Sequence, residues 1–73
     1  MNDRITIDPQ VCHGKPVIKG TRVPVVLVLG SLAGGMTYDE IEQNYDVTRD
    51  DILAALRFAE DVIEQGEYFP LTV

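Results

Sequence analysis

The sequence predicts a mainly α fold: a three-helix, helix-turn-helix-like core with short N-terminal β-strands. Three observations carry that expectation. Two helix-start signals, Thr37-Tyr-Asp-Glu40 and Thr48-Arg-Asp-Asp51, stand close together, each ahead of an amphipathic run. Gly34-Gly35 closes an apolar run just upstream, as a helix end does. Ahead of Pro24, the breakers Asp8-Pro9, Gly14, Pro16 and Gly20 cut the chain into pieces too short for helices. One domain is expected over residues 1–73, with strands and a basic loop in 1–23, the trihelical core in 24–66 and a tail in 67–73.

Ile5-Thr-Ile7 alternates apolar and polar and ends at Asp8-Pro9, which reads as a strand. Residues 9–16 form a connection, and Val17-Ile18 makes a second extended piece. Lys19-Gly20 follows as a turn in which glycine takes positive φ. Thr21-Arg-Val23 resumes extension, since Val23 is kept out of the α region by Pro24.

The first helix is expected to open with Pro24 at its first position, where a missing N–H is harmless, and to run to Ala33. Its β-branched valines also suit a buried strand, but the helices downstream need a helical partner. A short second helix places Tyr38, Ile41 and Tyr45 on one face. Asp46-Val47 breaks it, and Thr48 caps a longer third helix with acids in its first turn, where the helix dipole favours them. Ile52, Leu56, Ala59 and Ile63 form one apolar stripe on that helix, and Ala55, Phe58 and Val62 the next. Gly66 ends it.

The chain has 73 residues, 45% of them hydrophobic and 25% charged, which fits a globular domain rather than a disordered tail. A core this small leaves a surplus of only about 3–5 kcal/mol unless something staples it. One cysteine excludes an internal disulfide, and one histidine speaks against structural zinc, so a partner chain is the remedy left. No signal peptide or membrane span is legible, and the expected location is the cytoplasm. The net charge of −6 is unevenly spread. Residues 1–36 hold four cations against two carboxylates, and residues 37–73 hold two against ten. Any phosphate contact must therefore come from the front half or from a partner.

Lys15, Lys19 and Arg22 lie with Gly14, Pro16 and Gly20 within nine residues, giving a rigid electropositive loop. Such a loop can cradle phosphate or enter a carboxylate-lined cleft; equally, Gly20-Thr21-Arg22 can simply shape the turn into the first helix. It is not a phosphate-binding Walker loop, because Pro16 stands where Ser or Thr is required. Cys12-His13 gives too few ligands for a metal and no oriented base for a thiol nucleophile, so neither a metal nor a cofactor is expected. At the start of the third helix, Asp50 and Asp51 beside Arg49 would meet DNA phosphates unfavourably. Val25, Val26, Leu27, Val28 and Leu29 are consecutive and cannot all face one small core. Val25, Val26, Leu27 and Leu29 are accordingly the expected homodimer surface.

Ile5-Thr-Ile-Asp-Pro9, Cys12-His-Gly-Lys-Pro-Val-Ile-Lys-Gly-Thr-Arg-Val-Pro-Val25, Leu32-Ala-Gly-Gly-Met-Thr37 and Ile52-Leu-Ala-Ala-Leu56 together resemble domain-of-unknown-function family 433. The resemblance runs from residue 4 to about residue 64. It departs at His13, where the family often has glycine, and in the acidic start of the third helix. The resemblance implies a homeodomain-like helix-turn-helix and a proposed antitoxin role similar to VapB-type proteins, usually paired with a PIN-like nuclease. The expected function is therefore a non-enzymatic partner that neutralises a nuclease by protein contact and represses its operon as a complex. Lys15, Lys19, Thr21, Arg22 and Arg49 are the candidate partner- or phosphate-binding residues. The alternative is a free-standing DNA-binding regulator using Lys19, Arg22 and Arg49.

Overall fold

The computed structural model describes residues 3–66. Strand β1 (Ile5–Thr6) pairs antiparallel with β2 (Val17–Ile18), with Ile5 opposite Ile18 and Thr6 opposite Val17. Helices α1 (Val25–Ala33), α2 (Tyr38–Tyr45) and α3 (Arg49–Gln65) follow. The expected fold class is thus the observed one. The strand at residues 5–7 stops one residue short: Ile7 leaves the ladder with its side chain 59% exposed.

Beyond β2 the chain folds back on itself. The Ile18 N–H donates to the Val23 carbonyl at 2.9 Å, and Val17 forms a single bridge with Pro24. That bridge corrects the expected start of the first helix. Pro24 stays extended (φ −67°, ψ 145°) and caps α1 from outside instead of occupying its first turn. Its carbonyl still accepts from the Leu27 and Val28 N–H groups, at 3.1 and 3.4 Å.

Each helix ends as its sequence signals. Gly35 (φ +99°) lets the chain reverse after α1, with Gly35 N–H on the Leu32 carbonyl and Met36 N–H on the Ser31 carbonyl, both at 3.0 Å. Thr37 and Glu40 close a reciprocal capping box on α2, and Thr48 and Asp51 close another on α3. Between them Asp46 adopts the left-handed conformation, which makes the turn tight.

The core lies where the three helices meet the small sheet. Ile18, Val28, Ile41, Ile52 and Ala55 are fully buried, with Val25 and Val47 beside them. Tyr38 and Tyr45 sit at its rim, and Tyr45 Oη pairs with Ser31 Oγ at 2.9 Å, tying α2 to α1. Not all of the α3 stripes are used. Seventeen residues of α3 span about 25 Å, against roughly 14 and 12 Å for the nine and eight residues of α1 and α2. The last turns of α3 therefore overhang the core, leaving Val62 and Ile63 more than half exposed.

Candidate partner-binding site

Two surfaces stand out, one electropositive and one apolar. The first is the hairpin loop between β2 and α1. Gly20 (φ +82°) makes its turn, closed by the Thr21 N–H on the Ile18 carbonyl at 3.0 Å. The Thr21 hydroxyl donates to the same carbonyl at 2.7 Å and accepts from the Val23 N–H at 3.0 Å. Thr21 thus holds the loop's backbone, and Lys19 and Arg22 carry its exposed charges.

A strained turn braces this loop from outside. Cys12, His13 and Gly14 are three successive left-handed residues, with φ of 50°, 58° and 82°. Two of them are not glycine, a conformation that costs on the order of 1–2 kcal/mol each and persists only where neighbours enforce it. Gly14 N–H reaches the Val11 carbonyl at 3.1 Å and Lys15 N–H the Cys12 carbonyl at 3.2 Å. The Cys12 thiol donates to the Arg22 carbonyl at 3.5 Å, stitching the turn to the loop. The thiol's role here is to fix backbone, through a partner ten residues away that no local pattern announces.

Among the described residues, no carboxylate lies within ion-pair distance of Lys15, Lys19 or Arg22. Arg49 is placed quite differently. Its Nε donates to Glu42 Oε2 at 2.7 Å, its Nη2 to Asp39 Oδ1 at 2.9 Å, and its guanidinium lies 4.8 Å over the Tyr38 ring. The Glu42 hydrogen bond, the largest influence, holds the Arg49 pKa above its ordinary value. This arginine bolts α3 to α2.

The acids of α3 are engaged as well. Arg4 Nη1 donates to Asp51 Oδ1 at 3.1 Å, and its Nη2 lies 3.6 Å from Asp50 Oδ2. At the start of α3, where helix-turn-helix proteins present side chains to base edges, Asp50 and Asp51 are paired within the chain on an exposed surface. Burial pushes the Asp51 carboxyl up, but the Thr48 backbone and hydroxyl and Arg4 together outweigh it and hold it below the usual range. Its folded pKa is therefore below its unfolded one, so its stabilisation is present at neutral pH and lost as pH falls through the depressed value. Thermal melts should drop below about pH 4, and Asp51→Asn should make that drop shallower. An unchanged acid limb in the variant would show that other carboxylates dominate.

The second surface is apolar. Val25 lies in the core, so the outward side of α1 is carried by Val26 (55% exposed) and Leu27 (40%), with Leu29 half-buried. The run of five apolar residues predicts surplus apolar surface on α1 alone; the overhang of α3 adds Val62 and Ile63. Counting residues between caps would have revealed this, because α3 has about twice the length of either partner helix. Among the described residues there is no group of three metal-ligating side chains, and no helix is long and apolar enough to cross a membrane.

Residues 5–59 match the family model described as "Protein of unknown function (DUF433)". The chain belongs to the DUF433 family. It is 35% identical to a DUF433 member protein from Anabaena variabilis whose crystal structure superposes with a TM-score of 0.77, covering 85% of this chain and 62% of that one. It is also similar to the protein named "Putative antitoxin VapB45" of Mycobacterium tuberculosis, at 38% identity over 52 residues, 71% of this chain. A crystal structure of Rv2018 from the same organism superposes with a TM-score of 0.65 at 38% identity, covering 71% of this chain and 24% of that one. The chain spans 22% of the length of the antitoxin-named relative. The hairpin loop and the strained turn lie inside the region matched to the DUF433 model.

Proposed function

We propose that this DUF433 chain is a cytoplasmic, non-enzymatic antitoxin-like protein that neutralises a PIN-like nuclease by direct contact. The observation that carries this reading is the 38% identity, across 52 residues, to the relative named as an antitoxin. The hairpin loop and the end of the strained turn, which carries Lys15, support it. Lys15, Lys19 and Arg22 project from a braced backbone without internal ion pairs, and a metal nuclease presents clustered carboxylates in its cleft. Arg22 is the lead contact, because a guanidinium keeps its charge and grips a carboxylate through two parallel hydrogen bonds. The chain acts as a homodimer through the outward face of α1, and repression of its operon belongs to the complex with the nuclease.

The order α2, turn, α3 favours a second reading, a free-standing DNA-binding regulator. The ion pairs of Arg4 with Asp50 and Asp51, and of Arg49 with Asp39 and Glu42, weigh against it. Two measurements separate the readings. Co-expression with the product of the neighbouring reading frame should yield a stable complex in which nuclease activity is suppressed. Without a partner, affinity for duplex DNA should stay near the ~10⁻⁴–10⁻⁶ M of non-specific binding at physiological salt. Tight, sequence-specific binding by the chain alone, with nuclease activity undiminished, would reverse the order of the two.

A further inference from the structure

Three open clefts adjoin one another through shared lining residues. The first lies between Lys15 and the outward side of α1, at Val26, Leu27, Gly30 and Ser31. The second shares Val26 with it and crosses Leu29 to Phe58, Val62 and Ile63 of α3. The third shares Phe58 and Val62 with the second and ends at Ile7, Asp61 and Gln65. Five of the six large hydrophobic side chains exposed among the described residues line these clefts: Ile7, Val26, Leu27, Val62 and Ile63. Scattered exposed apolar residues are ordinary; a continuous strip marks an interface.

Two features say what the strip meets. Its ends carry opposite charge, Lys15 beside α1 and Asp61 beside the overhang of α3. Gly30 stands in the exposed interior of α1, where glycine weakens a helix relative to alanine, yet nothing in this chain approaches the place its Cβ would occupy. Open space at Gly30 on one half, exposed Val62 and Ile63 on the other, and opposite charges at the two ends make the strip complementary to itself. In a two-fold pair, each patch that receives is also a patch that inserts.

We propose that the whole strip is a two-fold interface with a second copy of this chain. The α3 overhang of each copy packs on α1 of the other at Gly30, and Lys15 of each copy pairs with Asp61 of the other. This deepens the homodimer of the preceding section by adding α3 and a register. It stands apart from the nuclease reading, since its test needs no nuclease.

The test is sedimentation equilibrium of the full chain, with circular dichroism melts as the control for folding. The wild type should sediment near twice 8.1 kDa at micromolar concentration. Val62→Lys should give a folded monomer, because Val62 is already half exposed in the single chain. Lys15→Asp and Asp61→Lys should each raise the dimer dissociation constant about fivefold or more, as expected for losing and reversing the two symmetry-related rim ion pairs. The double variant, which swaps the charges, should return to within about twofold of wild type, because residues in contact couple and their effects do not add. A monomer at every concentration overturns the proposal, whether residues 67–73 or another protein then cover the strip. So does a dimer that survives Val62→Lys, or a charge swap that fails to recover affinity.

Discussion

Replacing Lys19 and Arg22 together with alanine should abolish nuclease neutralisation while leaving the fold intact; Lys15 is kept, because the proposed dimer uses it. The two side chains are exposed and carry no ion pair among the described residues, so their loss should change folding stability by no more than about 0.5 kcal/mol. In a complex, the same charges would be desolvated against carboxylates. Truncating one partner of such a pair typically costs about 2–5 kcal/mol, because it strands the other charge without a counterpart. Arg22→Ala alone should therefore weaken binding more than Lys19→Ala, since only arginine offers the planar two-bond grip. Inhibition titrations of the purified nuclease, with melts run in parallel, read both effects. The competing contact is the Tyr68-Phe69-Pro70 tail, which lies outside the described residues. If truncation after Gly66 releases the nuclease and Arg22→Ala does not, the loop serves only to shape the turn into α1.

Much of the architecture was written locally. The Thr37–Glu40 capping box, the Thr48 cap, the Gly34-Gly35 stop and the Gly20 turn follow from groups acting within a few residues of themselves, and each is found where it was expected; that Asp51 completes a second box is added by the structure. What escaped reading depends on distant neighbours. Arg4 meets Asp51 at the surface from 47 residues away in sequence, with Asp50 beside it, and no spacing rule announces that pairing. Arg49 looked like a surface charge beside two acids; in the folded chain it turns back onto α2, seven and ten residues upstream. The left-handed Cys12 and His13 were hidden because neither is glycine, and only the Arg22 carbonyl above the thiol and the bonds closing the turn hold them there. Thr21, read as a contact residue, has its hydroxyl satisfied inside the loop.

The overhang of α3 yields the sharpest contrast in stability. Ile52 and Ile63 occupy the same predicted stripe on the same helix, yet Ile52 is fully buried and Ile63 is 60% exposed. Ile52→Ala removes methyl groups at the junction of all three helices and leaves a cavity, at a cost of about 2–5 kcal/mol. A domain of this size holds a surplus of only about 3–5 kcal/mol, so the variant should be largely unfolded at 37 °C by circular dichroism. Ile63→Ala empties no cavity in the single chain, and its stability in dilute solution should shift by about 0.5 kcal/mol at most. At higher concentration the two chains of the proposed pair would bury Ile63. Its replacement should then lower the melting temperature more as protein concentration rises, because dimerisation stabilises by mass action. Equal losses for the two variants at every concentration would mean that the end of α3 is covered within its own chain, and the overhang would no longer be free to meet a partner.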